Sequence, residues 1–399
     1  MKVLQINSTI NWGSTGRIAE DIGENLQKIG AESYIAYGRY SNVSRSHGIS
    51  IYNKTGIFIH ALKSRLFDMH GLSSKKDTYA LIRKIEEIQP DIIHLHNIHG
   101  YYLNYKILFD YLSKKSIPIV WTLHDCWAFT GHCAHYMHRG CIKWKTQCYN
   151  CPLKTSYPAS YFIDHSRQNY ILKRNCFTSV RNMVIVTVSN WLAIEVSQSF
   201  LKKYDRRVIY NGVDTNVFMP LNKKSQFNNK FVILGVASFW TKKKGFDDFI
   251  QLRKFLPEEF LILLIGVNKR QCKSLPAGII GIERTNNVTE LAEYYSTADV
   301  FVNPTWEDNF PTTNIEALAC GTPVITYKTG GSPEAVSANT GFIVDQGDLL
   351  GVVSAIKNVK LVGKEKYSAA CRERAVQHFN KFERYQEYIE LYQKILSKK

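Results

Sequence analysis

A chain of 399 residues with 45% hydrophobic and 21% charged side chains has room for two or more domains. It carries no long Gly/Ser, Pro or single-charge run, which excludes a disordered protein. The formal charge of +17 is spread over both halves, with 23 Lys and Arg against 13 Asp and Glu in residues 1–200 and 28 against 21 in the rest, so it points to an anionic partner rather than to one basic tail.

"MKVLQINSTINW" lacks the apolar core of a signal peptide, and no apolar run approaches the roughly 20 residues of a membrane-spanning helix. The expected location is therefore cytoplasmic, peripheral at most to the inner face of the cell membrane. Nine cysteines without an export signal argue against a disulfide framework.

In chain order, "KVLQIN" (2–7), "ESYIAYG" (32–38), "DIIHLHN" (91–97), "IPIVWTLHD" (117–125) and "MVIVTVSN" (183–190) are short apolar runs, each followed by a helical pattern. Parallel strands covered on both faces read this way, because the two-residue alternation disappears. After "NWGSTG", Ile18, Ile22, Leu26 and Ile29 fall at helical spacing, and Gly30 supplies a stop. Residues 52–76 offer a further helix in which Ile57, Phe58, Leu62, Leu66 and Phe67 line one side beside Lys54, Lys63 and Arg65. Such a stripe suits either an anionic membrane surface or, more plainly, the protein core.

"GHCAHYMHRGCIKWKTQCYNCP" gathers Cys133, Cys141, Cys148 and Cys151 with His132, His135 and His138. The closing C-x2-C has metal-ligand spacing and the two earlier cysteines complete a four-thiolate set, which favours structural Zn2+. The alternative is a compact insertion of reduced cysteines. Cys126, Cys176, Cys272, Cys320 and Cys371 are scattered, as small apolar core residues are.

The polar stretch "LNKKSQFNNK" (221–230) marks a new domain, and a second series follows: "FVILGVAS" (231–238), "FLILLIGV" (260–267), "GIIGIE" (278–283), "DVFVNP" (299–304) and "PVITY" (323–327). Two such series predict an α/β protein of two facing, doubly wound domains with ligands at the carboxyl ends of their strands. Tyr385, Ile389, Tyr392 and Leu396 predict a terminal helix packing one stripe on the body.

Three places suit anions. "VASFWTKKKGFDDF" sets lysines and a glycine directly after a strand, "YKTGGSPEAV" offers a glycine turn between strand and helix, and "NPTWEDNFPTTNIEALACG" opens a helix with Thr312 or Thr313 as cap. Glu316 lies near that helix start, where a carboxylate can take a ribose diol or merely complement the dipole; Asp308 sits in the loop before it.

The ordered set "NWGSTGRI", "TLHD", "YNGVD", "KKKGFDDF", "TADVFVNPTWEDNFPTTNIEALACGTPVI" and "GGSPE" resembles glycosyltransferase family 4, in particular its bacterial exopolysaccharide and colanic-acid-type members. The resemblance covers nearly the whole chain and is most specific from Ala298 to Ile325. It implies a GT-B fold: an acceptor-side Rossmann-like domain over 1–205 carrying the cysteine-rich insertion 126–152, a nucleotide-sugar domain over 206–380, and a helix over 381–399 crossing back. It also implies retention of anomeric configuration.

By position, Glu316 resembles the second acid of the family's E-x7-E motif and would grip the ribose, with Asp308 in the first acid's place facing the sugar. Backbone around Phe310, Pro311 and Thr312 would contact that sugar, while Thr312 or Thr313 and the helix start would face the diphosphate. Lys244 matches the lysine of the family's "KG", a diphosphate ligand, and His124 a histidine that touches the sugar. Gly13 and Gly16 match a turn bordering donor phosphate and acceptor.

Two departures stand out: the first acid is Asp308 beside Glu307 instead of a lone Glu, and Phe239 replaces an arginine, a charge that Lys242 or Lys243 would supply. No metal is expected in catalysis, since lysine and helix ends can stabilise the departing diphosphate. A same-face route through an ion pair is favoured over Asp308 as nucleophile. The implied partners are a UDP- or GDP-sugar donor and a glycan or polyprenyl-diphosphate-linked acceptor, with an anionic membrane surface as a further candidate. A zinc-bearing nucleic-acid-binding protein is the rival class; dispersed charge and the lack of a recognised module weigh against it, so no nucleic-acid partner is expected. An epimerase or phosphorylase on the same fold is the other alternative.

Overall fold

The computed structural model describes residues 1–221, 227 and 230–398, so most of the polar stretch read as a domain start lies outside the described residues. The chain forms two compact units, one of residues 1–209 with 385–399 and one of residues 210–384.

The first unit runs β1 (Lys2–Asn7), α1 (Gly13–Lys28), β2 (Glu32–Tyr37), β3 (His47–Ser50), α2 (Lys54–Phe67), α3 (Lys75–Ile88), β4 (Ile92–Leu95), α4 (Tyr105–Leu112), β5 (Ile119–Leu123), α5 (Ser166–Phe177), β6 (Met183–Thr187), α6 (Asn190–Ser197) and β7 (Asp205–Val208). Among the described residues its strands make one parallel sheet in the order β3-β2-β1-β4-β5-β6-β7. The order reverses between β1 and β4, which makes the sheet doubly wound.

β4 and β5 are buried at every position, the two-sided burial that their unbroken apolar runs foretell. Ile18, Ile22 and Leu26 of α1 enter the core with Val3, Ile92, Val120 and Val186. Ile29 does not: it falls at the cap just past Lys28 and is 46% exposed, because the chain turns away at Gly30.

The second unit runs β8 (Phe231–Val236), α7 (Phe246–Leu252), β9 (Phe260–Ile265), α8 (Lys269–Lys273), β10 (Ile279–Ile282), α9 (Val288–Thr297), β11 (Val300–Asn303), α10 (Thr312–Ala319), β12 (Val324–Tyr327), β13 (Gly341–Val344), α11 (Leu349–Val362) and α12 (Glu365–Phe379). Its described strands are again parallel, in the order β10-β9-β8-β11-β12-β13, with the reversal between β8 and β11.

The last helix, α13 (Lys381–Leu396), joins the first unit from Tyr385 onward. Tyr385, Tyr388, Ile389 and Tyr392 are buried in the same cluster as Val3, Ile22 and Val120, with Leu396 partly buried against it. The phenols are paired as they must be when buried: Tyr388 Oη accepts from Thr122 Oγ1 at 3.1 Å, and Tyr392 Oη stands 2.6 Å from His94 Nδ1.

α2 overturns the core-facing expectation. Its buried residues are His60 and Ser64, while Phe58 (68%), Ile59, Leu62 and Phe67 are exposed and Ile57 and Leu66 half-buried. His60 explains the rotation: its two ring nitrogens meet Ser74 Oγ and the amide of Gly71, each at 2.9 Å, so the polar stripe turns inward.

Candidate active site

Loops leaving a doubly wound sheet on either side of its reversal point diverge and form a crevice at the strand ends. In the second unit these are the loops after β8 and β11. The first is a single 3-10 turn, Lys242–Lys244, capped by Thr241, whose Oγ1 accepts from the amide of Lys244 at 3.3 Å. It ends in Gly245 at φ +82°, where an added Cβ would lie 2.4 Å from the carbonyl oxygen of Pro304, so only glycine lets the two loops touch.

The second loop is hooked onto the first. The amide of Trp306 donates to the carbonyl of Lys243 at 2.8 Å, and its indole donates to Asp248 Oδ2 at 3.0 Å. That contact delivers two ion pairs, Lys244 with Asp308 at 2.6 Å and Lys243 with Glu307 at 2.9 Å. Glu307 is buried and Asp308 only half-buried, so Asp308 is the acid that shares a loop face with Lys244. Phe239, at the departed arginine position, is 67% exposed.

The loop then enters α10 one residue earlier than expected. Pro311 is the cap residue and no side chain caps the helix, so neither Thr312 nor Thr313 plays that part: both already lie in the first turn. The amide of Asn314 turns back onto the Pro311 carbonyl at 3.2 Å, so it is the amides of Thr312 and Thr313 that are left to water or a ligand. Pro311 has no N–H, so an amide contact can come only from Phe310 or from Thr312 onward. The Phe310 ring is buried against Tyr210 and Phe379, at 4.9 and 5.6 Å between centroids, and its carbonyl accepts from Asn211 Nδ2 at 3.3 Å. Glu316, one turn into the helix and half-buried, accepts from the buried Tyr295 hydroxyl at 2.9 Å. "GGSPE" forms only a short 3-10 turn, Ser332–Ala335, rather than the helix expected there.

In the first unit the reversal lies beside the start of α1. Gly13 opens that helix, exposed and at φ +66°. Gly16 is buried, and a Cβ there would stand 2.6 Å from Thr9 Oγ1; it serves the close packing of the turn on its helix.

His124 follows β5 and reads a chain of rings that the sequence alone did not single out. His96 Nε2 lies 3.0 Å from Gln5 Oε1, and His96 Nδ1 lies 3.1 Å from His124 Nε2. Gln5 donates its amide nitrogen to the carbonyl of Ala19 at 2.7 Å, which leaves Oε1 as acceptor. His96 then donates from Nε2 and accepts at Nδ1, and His124 donates from Nε2. His124 can donate from Nε2 in either protonation state, and burial pushes that imidazole down to about 4, which makes the neutral ring the form near pH 7.

Beside it, Asp125 holds His99 Nε2 at 2.8 Å. Burial works to raise the Asp125 carboxyl, but the His99 ring outweighs it and takes the group down to about 2. The clue to Gln5 and His96 was present as polar residues inside otherwise apolar strand runs.

The four cysteines of the insertion line one small cavity together with His132. As the side chains stand, no set of three or more His, Cys, Asp or Glu among the described residues is arranged to hold a metal ion. Cys126, Cys176, Cys320 and Cys371 are buried as expected, and Cys272 only partly.

Two doubly wound units, one with a lysine turn beside an uncapped helix, define the GT-B class of glycosyltransferases. The fold is shared with sucrose-phosphate synthase from Thermosynechococcus elongatus (TM-score 0.76, 17% identity, all of both chains). It is shared also with Anabaena HepE, solved with UDP and glucose (TM-score 0.68, 15% identity, 98% of this chain and 99% of that one). Residues 15–217 match the model described as Glycosyltransferase Family 4, and residues 230–360 match Glycosyl transferases group 1. The chain belongs to glycosyltransferase family 4. It is 24% identical over 380 residues, 90% of each chain, to the colanic acid biosynthesis glycosyl transferase WcaC of Escherichia coli (strain K12).

Proposed function

We propose that this glycosyltransferase moves a hexosyl group from a UDP- or GDP-sugar to a growing glycan carried on a polyprenyl diphosphate, in exopolysaccharide, capsule or O-antigen synthesis, with retention at the anomeric carbon. The observation that carries the reading is the segment from Lys244 to Glu316: a lysine paired to Asp308 at 2.6 Å, a helix start with no side-chain cap, and a carboxylate one turn in. Each suits one part of a nucleotide sugar. Lys244 and the amides of Thr312 and Thr313 take the diphosphate, Glu316 takes the ribose hydroxyls, and the loop backbone at Phe310 and Thr312 meets the sugar. The resemblance to WcaC and the UDP and glucose held by HepE support the substrate class.

When the bond from the anomeric carbon to the diphosphate breaks, its electron pair goes to the departing oxygen. Lys244 and the helix end stabilise that charge, which grows toward the transition state. The acceptor hydroxyl then bonds to the carbon on the same face and its proton passes to the departing phosphate. Asp308 is neutralised by Lys244, which disfavours it as a covalent nucleophile. We expect no metal to take part in the step.

A panel of UDP-, GDP- and ADP-sugars, read by thermal shift and by nucleotide release with and without EDTA, tests the proposal. Stabilisation by one base series and EDTA-resistant transfer are expected; no stabilisation by any donor would overturn it.

The exposed side of α2 supports an anionic membrane surface as the place of work. Lys54, Lys63 and Arg65 are exposed beside Phe58, Leu62 and Phe67, the arrangement of an interfacial helix. No described helix is long and apolar enough to cross a membrane.

A further inference from the structure

The cysteine-rich segment between β5 and α5 has no part in that transfer chemistry, and its surroundings carry an inference independent of it. Cys133, Cys141, Cys148 and Cys151 come from four separate places in a segment with little regular structure, yet all line one cavity. His132 lines it too, 2% exposed, with Nδ1 held by Asp68 Oδ1 at 2.6 Å and Nε2 buried without a hydrogen-bond partner. The carboxylate fixes the orientation of the imidazole through one nitrogen and leaves the other beside a thiol-lined cavity, as carboxylates do for histidines at metal sites.

Lys173 of α5 adds a charge argument. Its ammonium is buried, donates to the carbonyls of Trp127 at 2.7 Å and Thr130 at 3.1 Å, and lies 3.6 Å from the Trp127 ring centroid. Those partners satisfy its hydrogen bonds but leave its charge to be balanced in a dry place. Four thiolates around a divalent cation carry two net negative charges, which the buried lysine would offset in part.

We propose that Cys133, Cys141, Cys148 and Cys151 hold a structural Zn2+ ion, with His132, oriented by Asp68, and Lys173 in the shell around the tetrathiolate centre. On binding, each thiol loses its proton to solvent as a sulfur–zinc bond forms, and no electron is transferred. As the side chains stand, the Cys133 and Cys151 thiols hydrogen-bond to each other and Cys148 Sγ accepts from the amide of Gly131 at 3.2 Å, so binding would require the thiol side chains to turn toward the ion.

The centre would be a clamp on the site loop. Asp68 caps the end of α2 and its second oxygen accepts from the amide of His165 at 2.9 Å, while Lys173 grips the carbonyls a few residues beyond His124 and Asp125. Zinc would thereby tie α2, α5 and the loop after β5 into one body.

The test uses the full chain purified without chelator: elemental analysis for zinc, release of metal by a mercurial, and the absorption spectrum after exchange with Co2+. One zinc per chain that survives gel filtration is expected, with sulfur-to-cobalt charge transfer and tetrahedral ligand-field bands in the exchanged protein. Cys148→Ser should lose the metal and Cys272→Ser retain it, and His132→Gln should weaken retention against a chelator about 10- to 100-fold. Should the Ser variant fail to fold, the Co2+ spectrum of the natural chain decides alone. Protein without zinc that takes up no Co2+ thiolate signal, or a Cys133–Cys151 disulfide in the intact mass, would overturn the proposal.

Discussion

Lys244 and Asp308 neutralise one another at 2.6 Å, and this sets what substitutions there should do. Lys244→Ala removes the cation proposed to face the leaving group, so turnover at saturating donor should fall by on the order of 100-fold, the loss seen when one stabiliser of developing charge is deleted. Steady-state kinetics check it, and wild-type turnover would remove Lys244 from the chemistry. Glu316→Gln leaves the Tyr295 hydroxyl an acceptor but weakens charge-assisted bonds of roughly 1.5–3 kcal/mol to the ribose, so the donor Kd should rise about tenfold or more with the fold intact. Calorimetric titration measures this directly. Motif spacing singles these positions out in the sequence, and the structure pairs Lys244 with Asp308 and sets Glu316 one turn into α10. Gln5 and His96 were not legible there, because polar residues in a buried strand reveal their use only when the sheet register and the ring contacts are known.

At the scale of elements, the apolar runs located the buried strands well, whereas β3 "HGIS", β7 "DRRV" and β13 "GFIV" escaped notice. All three are edge strands of their sheets, where one flank is unpaired and a hydrophobic run is not required. α2 was legible as a helix but not in its orientation, since burial of His60 is decided by hydrogen bonds to Ser74 and Gly71 that lie beyond the helix. The start of α10 was misplaced for a similar reason: Pro311 fixes the backbone ahead of the two threonines. Gly245, by contrast, announces its role through the contact of the two loops. Gly245→Ala should cost at least about 1–2 kcal/mol for the left-handed backbone and more for the clash with Pro304, lowering the urea midpoint and loosening the Lys244 turn together. An unchanged midpoint would show that the loops need not touch.

For the whole molecule, buried histidines and surface charge make separate predictions. Burial lowers His60, His70, His94, His96 and His124 below the ordinary value near 6.5, to about 4 for His60 and His124. The unfolded chain therefore binds more protons than the folded one below about pH 6.5, and stability is lost as the pH falls from there. Each such group contributes roughly 1 kcal/mol of loss at about pH 5.5, roughly 5 kcal/mol for the five, so Tm of the first unit should fall by about 10–20 °C between about pH 7 and 5.5. His132, raised by Asp68 against the effect of burial, offsets a little of this, and calorimetry at a series of pH values gives the sign. The surface prediction rests on α2. Its exposed Phe58, Leu62 and Phe67 stand with Lys54, Lys63 and Arg65, and residues 1–200 carry 23 basic against 13 acidic side chains. Each basic group near an anionic leaflet contributes on the order of 1 kcal/mol and is screened by salt, while the apolar groups add a term that salt does not screen. The full chain should float with anionic vesicles at low ionic strength, bind neutral vesicles weakly and be released by salt. Phe58→Ser with Leu62→Ser should reduce flotation several-fold at every salt concentration, whereas Lys63→Glu with Arg65→Glu should reduce it only where salt has not already done so. Because these side chains lie in solvent, neither pair should change the donor Kd, and a protein that stays out of anionic vesicles at low salt would leave the charge of +17 to be explained by its substrates alone.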